Sequence, residues 1–96
     1  MDVATFRQSL TADAPPPGLS LAVQALWWDA KGDWDRAHEC AQEQDDAVGA
    51  AVHAYLHRKE GDLGNARYWY ALAGTAAASG PLEAEWESLA RRLLNM

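Results

Sequence analysis

The segment Gly32-Asp33-Trp34-Asp35-Arg36-Ala37 reappears 29 positions later as Gly61-Asp62-Leu63-Gly64-Asn65-Ala66. At the same offset Ala22 falls on Ala51, Ala25 on Ala54, Leu26 on Tyr55 and Trp27 on Leu56, so the likeness runs back through a whole helical segment. A fixed period in this range marks stacked supersecondary units, none of which can bury its apolar face alone. The pattern predicts an all-α chain of two tandem antiparallel helical hairpins. With 96 residues it makes a single domain, 1–96, with room for both hairpins and two end pieces.

The local signals agree with that plan. Asp2 caps a short helix in which Val3, Phe6 and Leu10 share a side, and Pro15-Pro16-Pro17-Gly18 ends this N-terminal piece, 1–18, as a stiff spacer. Hairpin 1, 19–44, opens at Leu19, where Leu19, Ala22, Val23, Leu26, Trp27 and Ala30 follow the i, i+3, i+4, i+7 pattern. Leu21, Ala25 and Trp28 form a second apolar strip, so that helix is sandwiched. Gly32 suits a left-handed helix end and Asp33 the cap of the returning helix, whose inward stripe is Trp34, Ala37, His38 and Ala41. Hairpin 2, 45–74, starts from a cap at Asp45 or Asp46 and runs through Val48, Ala51, Val52, Tyr55 and Leu56 to a second Gly-Asp turn. Leu63, Ala66 and Tyr70 then face the partner helix, while Tyr68, Trp69 and Leu72 make the segment apolar nearly all round. The last helix, 81–95, with Pro81 at its first position, is amphipathic through Leu82, Trp86, Leu89, Ala90 and Leu93 and resembles a cap for the stack.

Composition excludes several classes of function. A net charge of −6 opposes nonspecific binding to nucleic acid and to anionic membrane surfaces. No apolar run approaches the ~20 residues that span a bilayer and the N-terminus carries no export signature, so the expected location is the cytoplasm. Cys40 is the single cysteine and falls inside a helical pattern, which predicts a buried, inert thiol.

At Gly32-Asp33-Trp34-Asp35-Arg36-Ala37 the chain resembles the start of the second helix of a tetratricopeptide repeat. The period is shorter than that family's ~34 residues, and Gln24-Ala25 and His53-Ala54 stand where it places a Leu-Gly pair. The run from His53-Ala54-Tyr55-Leu56-His57-Arg58 through Glu60-Gly61-Asp62 and Asn65-Ala66 to Tyr68-Trp69-Tyr70 also resembles a segment of a group of small bacterial proteins without an assigned activity. These resemblances imply a bacterial source, a tetratricopeptide-like stack and a function housed in hairpin 2, most simply a protein-interaction or scaffold module whose partner is another protein or a second copy.

The residues expected to carry that binding are His53, His57, Arg58, Glu60, Asn65, Tyr68 and Trp69. On a helical wheel with Val48 at zero, Glu60, His53 and His57 fall near about 120°, 140° and 180°, away from the core stripe. The bland reading is a solvated face, or histidines hydrogen-bonded across the second side of the sandwich. The alternative is a small-molecule or metal site, since His53 and His57 stand at i, i+4 and Glu60 one turn on. The hydrolytic zinc signature needs a Glu directly after the first His, and Ala54 is there. His38 and Cys40, two apart on one helix, diverge and form no catalytic pair. Tyr68 and Trp69 read either as packing against the last helix or as a contact platform, with Arg58 free to pair with Glu60 or an acidic group. No catalytic residue, cofactor or committed metal ligand follows from the sequence.

Overall fold

The computed structural model describes all of residues 1–96 and is helical throughout, with no strand. The helices are α1 (Val3–Gln8), extended by a 3₁₀ turn at Ser9–Thr11, α2 (Leu21–Ala30), α3 (Trp34–Glu43), α4 (Ala47–Glu60), α5 (Leu63–Ala73) and α6 (Leu82–Leu94). α2 pairs with α3 and α4 with α5, giving two hairpins joined along α3 and α4.

Each turn is written in its cap residues. Gly32 and Gly61 take φ of +85° and +91°, the left-handed conformation that ends a helix at little cost only in glycine. Asp33 and Asp62 then accept the backbone N–H of Arg36 and Asn65 at 3.0 and 3.1 Å, and Asp46 does the same for Gly49 at 2.8 Å. Two starts differ from expectation by a residue or two. α2 begins at Leu21 because the Ser20 hydroxyl accepts from Val23 N, and Pro81 precedes α6 instead of occupying its first position. Gly49 is required by crowding: a Cβ there would lie 1.9 Å from the Gln44 carbonyl oxygen, where α3 hands the chain to α4.

The core lies between α1, α2, α4 and α6, around Phe6, Leu26, Trp27, Val52, Leu56, Trp86 and Leu89. α6 does not extend the row beyond α5; it covers the face that α2 and α4 share, with α1 beside it. The Trp86 indole donates to the Leu26 carbonyl at 3.0 Å, and the Trp27 indole donates to the Ser9 hydroxyl at 3.0 Å. These bonds satisfy the polar end of each buried ring, which would otherwise be stranded. α5 packs chiefly on α4, so Leu63, expected to face its partner, is 56 % exposed, and Tyr68 and Leu72 are exposed too. Cys40 is half-buried, less than its place in the helical pattern suggests.

Candidate functional site

Fixing α2, α3, α5 and α6 around α4 leaves that helix covered on every side, from Gly49 through His57. Its Val52, Tyr55 and Leu56 side enters the core. The other side, carrying His53 and His57, does point away from the core, but α3 and α5 close over it, so a solvated face is excluded: the two rings are 3 % and 6 % exposed.

His38 reaches the same place from α3. Its Nε2 is 2.9 Å from His53 Nε2, and one ring nitrogen from each of His38, His53 and His57 lies within 4.8 Å of the others. Indoles wall the cluster: Trp34 stacks on His38 at 4.9 Å and 15°, and Trp69 on His53 at 3.8 Å and 15°. Trp34 is itself held by its Nε1–H donating to the Leu56 carbonyl at 2.9 Å.

The hydrogen bonds fix which nitrogen of His57 is free. Glu60 Oε1 stands 2.6 Å from His57 Nδ1 and, as an acceptor, takes its N–H. Nε2 is left with the lone pair, towards which the Asn65 amide Nδ2 donates from 3.3 Å. His53 is less well served. Its Nε2 shares one hydrogen with His38, and its Nδ1 is buried with no partner in either tautomer. A stranded buried polar atom costs about 1–3 kcal/mol, so stability alone does not account for a histidine there.

The surroundings hold two of the rings uncharged. Burial, then the neighbouring His38 and His57, pushes the His53 pKa down to about 4. Burial and His57 lower His38 as well, against an opposing pull from Glu60, Asp35 and Glu39. At neutral pH both rings therefore offer lone pairs.

Of the residues expected from sequence, His53, His57, Glu60, Asn65 and Trp69 come together here. Arg58 does not: its guanidinium turns to the opposite side of α4, where it donates to Glu85 Oε1 at 2.8 Å and to the Gly80 carbonyl, not to Glu60. Tyr68 meets the edge of Trp69 at 5.4 Å and is otherwise 60 % exposed. Only Tyr70 of the aromatic run reaches α6, donating to Glu85 Oε2 at 2.5 Å. His38 and Trp34 are members that sequence reasoning missed. The signal was their i, i+4 spacing on the inward stripe of α3, one hairpin away from the histidines it needed to be matched with. Asp62, near Glu60 and His57, is taken up in capping α5, and Cys40 stays outside, its thiol pushed up by burial and by Glu43 and Glu39.

No helix of the chain is long and apolar enough to cross a membrane. Comparison with protein-family models, with curated proteins and with solved structures finds no match to this chain, so the reading of the site rests on its own geometry.

Proposed function

We propose that this helical-hairpin domain binds a divalent transition-metal ion through His38, His53 and His57. The observation that carries the reading is the convergence of one nitrogen from each of three imidazoles to within 4.8 Å, in a site built from two hairpins. Four-coordinate zinc with metal–nitrogen bonds of about 2.0–2.1 Å places its ligand nitrogens about 3.3 Å apart. The His38–His53 pair, at 2.9 Å, has to open slightly and His57 to close in. Imidazole ligands suit zinc, copper and nickel. Glu60 on His57 Nδ1 is the arrangement that fixes a ligating histidine's tautomer and raises its basicity, so Glu60 orients a ligand and does not serve as one. Burial keeps His53 and His38 neutral and ready.

Calorimetry with Zn²⁺ and Ni²⁺ tests this. One equivalent is expected to bind, and His38→Ala or His57→Ala to weaken it at least tenfold. Absence of heat in the wild-type protein, or an unchanged affinity in His38→Ala, refutes the assignment.

A second reading is favoured by the outer side of α5, where Tyr68 and Leu72 are 60 % and 52 % exposed. There the domain acts as a tetratricopeptide-like interaction module of a bacterial cytoplasm, with another protein or a second copy as partner. Tyr68→Ala is expected to abolish partner capture in a pull-down; unchanged capture rules that face out.

A further inference from the structure

Resting on the metal reading, we propose that an ion held by the three imidazoles keeps its fourth coordination position open to an outside ligand, a water or a small inorganic anion, and that Asn65 hydrogen-bonds that ligand.

Counting donors leads to the open position. Tetrahedral ions take four ligands, and a site in which the protein gives three retains the fourth for water or substrate. The other side chains near the imidazoles have roles of their own. Glu60 is on His57 Nδ1, and the lone pairs of the two ring nitrogens diverge, so its carboxylate cannot reach an ion on Nε2. Asp62 caps α5 through the Asn65 backbone N–H. Cys40, two residues beyond His38 on the same helix, projects about 200° away from it.

Asn65 stands where a fourth ligand's neighbour is needed. Its Nδ2 lies 3.3 Å from His57 Nε2, on the side to which that nitrogen's lone pair points. An amide N–H is a donor and no metal ligand. Once an ion takes the His57 lone pair, the hydrogen bond that this N–H makes in the free protein is lost, and the donor is released beside the ion. A bound hydroxide or anion is the acceptor at hand. The backbone of Asn65 is held by the Asp62 cap at 3.1 Å, so the amide is aimed by a helix start and not by a loose loop. The way in is on the same side. His38 and Asn65 are half-buried and Glu60 exposed, whereas His53 lies sealed beneath Trp69.

Charge supports an anion. Three neutral imidazoles leave the ion's two positive charges uncompensated by any protein ligand, which lowers the pKa of a bound water and attracts small anions.

Cobalt substitution reads both layers of the argument at once. Co²⁺ is titrated into the wild-type protein and its visible bands followed, and sodium azide is then added. The expected result is one Co²⁺ with the intense bands of four-coordination, shifted by azide. Asn65→Ala is expected to lower azide affinity at least tenfold more than it lowers cobalt affinity, the loss of one hydrogen bond to a charged group. Asn65→Asp turns the donor into a carboxylate ligand, so cobalt is expected to bind more tightly and azide to lose its effect. Cobalt binding without any azide response in the wild type, or an azide affinity untouched by Asn65→Ala, overturns the open position and leaves ion binding standing. No cobalt binding at all overturns both.

Discussion

Replacing His53 by Phe separates the cost of the histidine from its use. Phe keeps a flat ring to stack on Trp69, removes the stranded Nδ1, and frees the half-buried His38 to turn towards water. In the metal-free protein at pH 7 the exchange is therefore expected to be neutral or stabilising by about 1 kcal/mol. Acid enlarges the difference. The groups facing His53 are His38 from α3 and His57 from α4, and its pKa falls from the ordinary 6.5 to about 4 on folding. The unfolded chain thus binds more protons than the folded one between those values. Stability is full above pH 6.5 and drains away as pH falls towards 4, after which the loss is complete. Between pH 7 and pH 4.5 that linkage amounts to about 2–3 kcal/mol for this one ring, and Phe is exempt from it. Urea denaturation of both proteins in chelator at the two pH values measures the quantity, each curve giving its own stability by linear extrapolation. A gap between variant and wild type that is the same at pH 7 and pH 4.5 refutes the claim that His53 is buried uncharged.

Other substitutions test the frame that holds the site. Gly49→Ala, normally helpful in a helix, is expected to destabilise by about 1–3 kcal/mol or more because the new methyl meets the Gln44 carbonyl; thermal melting well below wild type checks it. Glu85→Gln leaves Arg58 without its charge partner in a site where both side chains are nearly buried, 14 % and 9 % exposed. It is expected to cost about 3–5 kcal/mol in chemical denaturation, as breaking a buried ion pair does. Tyr55→Phe removes a 2.7 Å hydrogen bond to the buried Asp29, which keeps Lys59 at 2.8 Å. A loss of about 1.5–3 kcal/mol is expected by the same measurement.

How far the sequence could be read follows from the range of each signal. The Gly-Asp turns were legible because glycine's left-handed backbone and the aspartate cap act within three or four residues, and Gly61 and Asp62 do what their types suggest. Helix starts slipped where a neighbour competed, as when the Ser20 hydroxyl took the cap and moved α2 to Leu21. His53, His57 and Glu60 were visible as a group because they lie on consecutive turns of one helix. Whether that face was wet depended on how α3 and α5 close over it, and helix periodicity carries no such information. The same limit hid His38, which meets His53 across the seam between hairpins, and misplaced Arg58, whose partner Glu85 is 27 residues away on α6.

The shortest contact between imidazoles joins α3 to α4 and therefore ties the first hairpin to the second. Whatever slides one hairpin along the other changes that nitrogen pair before it disturbs either helix, because helices shift as rigid bodies while a 2.9 Å contact tolerates only a fraction of an ångström. The energetics must be mutual: an occupant of the imidazoles resists such sliding, and a force that parts the hairpins evicts the occupant by an equal free energy. The ring protons of His38 and His53 are thus a strain gauge for the whole stack, legible by nuclear magnetic resonance without touching the fold.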